Sequence, residues 1–367
     1  MRGGHARNVL GVFARIGVVG IPTPHPAFGH LLPVEGRRNA ASVRWFFHTC
    51  LRVGGDARGP SCEPLALRGR NARSASASTW NPQKEFAPAG RIAYGKGSFV
   101  SRVALKLSAF AQIWRYFDNP LLVTLMRLGV VRLPTFSYRM QAPSGIRCAM
   151  LARPGATSLG DLFVLREVFI DETYADILPL LPKRAVTVLD VGANLGSFCV
   201  WLAARHGIAR GTCFEPDPSS FRLCRFNLAN NGCTQVEPVS KAVGGIERTL
   251  QMRVNTTRPG GNSIYAAPAA EGETADIEVL PLAKWLAQSS DQIDVLKLDC
   301  EGAEWEMVDH TPPELWRRFS LIVAEIHGDA AGKHQPDDFP KLMEARGFRT
   351  QRWDGGHMGL YIGVRQS

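Results

Sequence analysis

From Val186 onward the apolar positions alternate between two periods. The runs at Val186–Val191, Gly211–Glu215, "DVLKLD" (294–299), "LIVAEIH" (321–327) and "GLYIGVR" (359–365) are short and nearly continuous, as strands buried on both faces require. A further strand is expected near Gln235–Val243. Between these runs apolar residues recur at helical spacing over Gly196–Arg205, Ser219–Asn230, "LAKWLAQ", "GAEWEMVDH" and "FPKLMEARGF". Gly207 should end the first of these helices; Ser219 should cap the second and Asn231-Gly232 stop it. Strands alternating with helices predict a parallel sheet with helices on both faces. In such sheets ligands lie beyond the carboxyl ends of the strands, where the strand order switches.

Upstream the texture differs. Residues 101–180 read as a helical lead-in: "ALKLSAFAQIWRYF" has helical spacing, "NPLLVTLMRLGVV" starts at Pro120, and "MQAPSGIRCAMLARP" suits a hairpin. "LGDLFVLREVFIDETYADILPLL" reads as helix, break, helix. Residues 1–100 hold no period beyond a turn or two and are rich in Gly, Pro, Arg and Ser. Such a segment buries too little apolar surface to offset its ordering entropy. It reads as a disordered basic tail, a cleaved transit peptide or, preferred here, sequence upstream of the true start. A chain beginning near Ser101 is expected to fold and bind cofactor like the full chain.

Composition changes the picture at one point. The net charge of +10 suggests nucleic acid until it is located. Residues 1–100 carry 14 basic and four acidic residues, which leaves 29 of each in 101–367. The folded body therefore has no global reason to seek phosphate backbones, and no nucleic-acid partner is expected. Eight cysteines without a CxxC pair read as buried free thiols of a reducing, cytoplasmic compartment, not as a disulfide or zinc framework. No metal is expected, and no apolar run is long enough to span a bilayer.

The chemistry gathers at "VLDVGANLGSF". Asp190, Gly192, Asn194 and Gly196 form a D-x-G-x-N-x-G loop between a strand and a helix. The glycines permit a sharp turn and close approach of a ligand to the backbone, and the helix start offers free N–H groups. The dinucleotide fingerprint G-x-G-x-x-G is absent. Asp190, at the strand end, would repel a pyrophosphate and attract an ammonium group. S-adenosyl-L-methionine carries such an ammonium. Glu215 ends the next strand 25 residues after Asp190, where an acid can accept both ribose hydroxyls.

"DVGANLGSF", "FEPDPSSFRLCRFNLANNG", "GGNS", "LKLDCEGAEWEMV" and "AEIHG", in that order, resemble the FkbM family of S-adenosylmethionine-dependent methyltransferases over roughly residues 160–365. Cys300 stands where the family usually has Val. The resemblance implies an α/β fold of the Rossmann-like class I type, mostly parallel, with the domain over 181–367, and usually methylation of a hydroxyl on a sugar or natural product. It implies that Asp190, Gly192, Asn194 and Gly196 form the methionine-side loop and that Glu215 is the ribose acid, with Pro216 stiffening the turn after it.

A hydroxyl acceptor must lose its proton at or after attack. The candidates are His327, Asp299 and Glu301, with Glu304 and His310 beside them. His327 is the expected base because imidazole titrates near neutral pH; Asp299 is the expected positioning group. Lys297 should share the face of Asp299 and pair with an acid. Nitrogen methyltransferases commonly carry an Asn/Asp-Pro-Pro-aromatic turn where this chain has "DCEG", which favours oxygen. Arg253, Arg258, Asn262 and Ser263 are candidate acceptor contacts in a Gly/Thr-rich loop. A small-molecule or carbohydrate acceptor is the expected partner. The competing readings are an NAD-dependent oxidoreductase and a non-catalytic module that keeps the fold.

Overall fold

Strand runs that are apolar at every position can be satisfied only between two layers of helix, and the chain adopts that solution. The structure, a computed structural model, describes residues 99–154, 160–253, 274–356 and 358–366. Two helices, Phe99–Tyr116 and Pro120–Arg127, precede a hairpin of β1 (Phe136–Gln141) and β2 (Arg147–Ala152). The stretch Asp161–Ile170 is one helical turn followed by a wider π turn, and Ala175–Leu180 is a 3-10 turn. The lead-in is thus helix and hairpin together.

The central sheet uses β3 (Val186–Val191), β4 (Ile208–Phe214), β5 (Val236–Val239), β9 (Ile293–Leu298), β10 (Phe319–Ile326), β11 (Phe348–Trp353) and β12 (Gly359–Arg365). Its order is β11-β12-β10-β9-β3-β4-β5. All its pairings are parallel except those of β12, which runs antiparallel to β10 and β11. The order reverses between β3 and β9, so the carboxyl ends of these two strands flank the switch point. Successive residues face opposite layers: Val188, Val295 and Val323 join one apolar core, Leu189, Leu296 and Ile322 the other. The polar exceptions, Asp190 and Lys297, are opposite one another in the β3–β9 register.

Three sequence expectations change. The expected strand Gln235–Val243 is two strands in different sheets, β5 and β6 (Ala242–Gly244). β6 joins β7 (Arg248–Arg253) and β8 (Thr274–Pro281) in a three-stranded sheet, which the alternating "TADIEVLP" would have signalled. The cap of the helix Pro218–Asn230 is Asp217, not Ser219: Asp217 accepts from the N–H of Ser219 at 2.7 Å and of Ser220 at 3.3 Å. Pro218 already occupies the first helical position, and the hydroxyls of Ser219 and Ser220 accept instead from Arg153, at 2.6 and 3.0 Å. Finally, the last helix stops at Glu344, and Gly347 (φ 88°) turns the chain into β11.

The described cysteines are free thiols: Cys148, Cys199, Cys213, Cys224 and Cys233 are buried and Cys300 half-buried. No helix among the described residues is long and apolar enough to cross a membrane.

Candidate active site

The loop after β3 is built by close approach. Gly192 has φ 82°, and a Cβ there would lie 1.8 Å from the carbonyl oxygen of Asp299. The missing side chain makes room for the end of β9 and not, as expected, for a ligand. The N–H groups of Gly192 and Ala193 both donate to Phe214 O, at 3.0 and 2.9 Å, which ties the loop to β4. Asn194 (φ 48°) donates its N–H to Glu215 Oε2 at 2.7 Å. Gly196 (φ 75°) packs on the helix Pro218–Asn230 and starts the helix Ser197–Arg205.

Asp190 is fully buried beneath this loop. Its Oδ1 lies 3.3 Å from Lys297 Nζ, and the thiol of Cys199 donates to its Oδ2 at 3.4 Å. Lys297 also donates to Gly192 O at 2.7 Å and lies 3.4 Å from Asp299 Oδ2. Burial alone would lower the ammonium's pKa, but Asp190 and Asp299 hold it well above the lysine range. Burial pushes the Asp190 carboxyl upward, against Lys297. Asp190 therefore supports the loop from below and does not face the ligand space. Lys297 is the internal cation the sequence suggested.

A cleft of about 610 Å³ opens above the ends of β3, β4 and β9, with Gly192, Asn194, Glu215, Asp299 and Glu301 in its wall. Five of the eight predicted site residues thus meet at one cleft; Asp190, Gly196 and His327 stand behind it. The sequence reading missed Lys241, Ala242 and Val243 on the wall, which no motif marks. Glu215 accepts from Asp217 N–H at 2.8 Å and from Asn194 N–H, and is 7% exposed. Burial pushes its carboxyl up to about 7, further raised by Asp217 and opposed by those two hydrogen bonds and by Lys297. Asn194 Oδ1 is a buried acceptor for which no hydrogen-bond partner is found among the described residues. Asn194 Oδ1 and the Glu215 carboxylate are thus two acceptor groups on this wall.

At the far rim Asp299 and Glu301 are about a third exposed, at 30% and 29%. His327 is behind them, 7% exposed, with Nε2 3.6 Å from Glu301 Oε2 and 4.0 Å from Asp299 Oδ1. Its Nδ1 is 3.1 Å from Glu304 Oε1. Burial lowers the imidazole pKa, but the Glu304 hydrogen bond and the charges of Glu304, Asp299 and Glu301 lift it to about 10. That upward shift opposes the role of a base near neutral pH, for which the sequence nominated His327. The expected neutral inflection from this residue does not follow from its surroundings. Glu301 is raised to about 7, first by burial, with His327 opposing. Glu304, placed by the sequence on the face of Glu301, is fully buried and turned inward. His310 is exposed and its Nδ1 donates to Glu306 O, 2.9 Å away on its own helix. Arg258, Asn262 and Ser263 lie outside the described residues, as does the side chain of Arg253.

A mostly parallel sheet with one antiparallel strand near its edge, a glycine loop after β3 and an acid ending β4 define a Rossmann-like class I methyltransferase fold. Residues 190–350 match the model of the methyltransferase FkbM domain. The chain is similar to "Methyltransferase 1" of Beauveria bassiana, 24% identical over 51% of this chain and 80% of that one. It is likewise similar to "Methyltransferase sdnD" of Sordaria araneosa, 28% identical over 52% of this chain and 83% of that one. A third relative is "31-O-demethyl-FK506 methyltransferase FkbM" of Streptomyces tacrolimicus, 25% identical over 45% of this chain and 74% of that one. The protein is a methyltransferase.

Proposed function

We propose that this methyltransferase transfers a methyl group from S-adenosylmethionine to a hydroxyl of a small molecule, a sugar or a natural product. The observation that carries the reading is the cleft wall itself: a buried, unpartnered amide oxygen at Asn194 and a carboxylate at Glu215, facing an acidic rim at Asp299 and Glu301. Bound there, the cofactor supplies a methyl group already activated on a sulfonium. Glu215 accepts the ribose hydroxyls, while Asn194 and the loop it belongs to hold the methionine end. The remaining work is positioning. An acceptor oxygen held beside Asp299 and Glu301 would receive the methyl group. Asp299 and Glu301 reach the cleft and orient the acceptor; its proton leaves toward these carboxylates. His327 acts through them, which reverses the roles expected from sequence. The name of the Streptomyces relative describes an O-demethyl substrate, and "DCEG" in this chain lacks the proline turn of nitrogen methyltransferases.

Replacing Glu215 by Ala should weaken S-adenosylmethionine by a tenfold or more, since a hydrogen bond to a charged group contributes roughly 1.5–3 kcal/mol. The charged carboxylate is the better acceptor. Wild-type affinity should therefore rise as pH climbs through about 7, the value at which Glu215 ionises in the free protein. Calorimetric titration at several pH values checks both. A Glu215→Ala protein that binds like wild type, with the same pH profile, would remove Glu215 from the site.

A further inference from the structure

Asp299, Glu301 and His327 each offer one donor atom, and the three atoms lie within 4.8 Å of one another. The spacing alone proves little, but three further features bear on it. The first is how the histidine is held. Glu304 is fully buried and accepts from the N–H groups of Cys300 and Gly302, at 2.9 and 2.8 Å. So fixed, it takes His327 Nδ1 and turns Nε2 toward the two rim carboxylates. A ring nitrogen pinned by a buried carboxylate while the other points at open donors is how proteins orient metal-bound imidazole.

The second is the turn that carries Glu301. Its φ is 56°, and that of Gly302 is 107°. Here the turn brings the Glu301 carboxylate to 3.6 Å from His327 Nε2 at the cleft rim. The third is charge. Asp299, Glu301 and Glu304 all lie within 4.0 Å of the His327 ring, while Lys297 is shared between Asp190 at 3.3 Å and Asp299 at 3.4 Å. The rim keeps an excess of negative charge, and access runs directly from the cleft.

We propose that Asp299, Glu301 and His327 bind one divalent cation. A set of two carboxylates and one imidazole suits a first-row ion such as Mn²⁺ better than Mg²⁺, which prefers oxygen ligands alone. Its use rests on the methyl-transfer reading: the ion's open positions face the cleft, and an acceptor hydroxyl bound there becomes more acidic. Asp299 and Glu301 then act on the acceptor through the ion.

The test is titration of the full chain with Mn²⁺, followed by the electron paramagnetic resonance signal of the free ion, with no cofactor added. One saturable site per chain is expected. Glu301→Gln and His327→Gln should each lower its affinity at least tenfold. Glu304→Gln, which touches no ion, should lower it by roughly 10–100-fold. Glu314→Gln, on an exposed position, should change nothing. Glu301 is on a partly exposed turn, so its variant stays informative if the buried ones fail to fold. Absence of saturable binding by the wild type, or wild-type binding in Glu301→Gln, overturns the proposal. S-adenosylmethionine affinity is measured on the same samples: Mn²⁺ binding without cofactor binding sustains the ion site and sinks the cofactor reading, and the reverse overturns the ion site alone.

Discussion

Lys297→Met lowers the free energy of unfolding by about 3–5 kcal/mol, the usual cost of removing one partner from a buried ion pair. The side chain is 4% exposed and Asp190 is fully buried, so the variant strands a buried carboxylate without the ammonium that lay 3.3 Å from it. Methionine nearly preserves the volume, which keeps packing losses small. The loop also loses the ammonium that holds Gly192 O. Urea unfolding followed by circular dichroism reads the loss. Pairing the change with Asp190→Asn should recover part of it, because the stranded charge is then gone. A loss under about 1 kcal/mol would place the pair in the class of solvent-screened surface bridges and contradict its buried role.

Gly192→Ala is expected to disable the cleft. The new methyl would stand 1.8 Å from Asp299 O, and the residue keeps φ 82° only at a cost. The left-handed backbone contributes about 1–2 kcal/mol and the overpacking about 1–3 kcal/mol. The obstacle is the backbone of a central strand end, which cannot rotate aside. The loop must lift from β9, moving Asn194 away from Glu215. S-adenosylmethionine affinity should fall at least tenfold along with the melting temperature, and calorimetry beside a thermal melt checks both. Wild-type affinity in this variant would mean that the loop tolerates displacement and is not the cofactor's cradle.

Both predictions start from residues visible in the sequence: Lys297 pairs with acids as expected, while the space at Gly192 is taken by β9 and not by a ligand. Strand periodicity placed β3 at its observed bounds, with Asp190 at the strand end, and put Lys297 inside the later strand on the face of Asp299. It could not say which way each side chain turns at the last strand position. The β3–β9 register decides that, by setting Asp190 opposite Lys297 inside one core layer. His327 shows the same limit. Its strand and its edge were legible, but its protonation depends on Glu304, a residue on another element that only folding brings to 3.1 Å. The strands β7 and β8 escaped because they pair with β6 in a small separate sheet and flank a Gly-rich stretch of sequence that dominates the local pattern. Glu215 was legible at every level, since a strand end, a following proline and the sheet order all fix its place on the wall.

The central claim is that this cleft holds S-adenosylmethionine and not a dinucleotide. Parallel calorimetric titrations of the wild-type chain with S-adenosylmethionine and with NAD test it most directly. The account predicts saturable one-to-one binding of S-adenosylmethionine and none of NAD under the same conditions. Saturable binding of NAD with no heat from S-adenosylmethionine would contradict it.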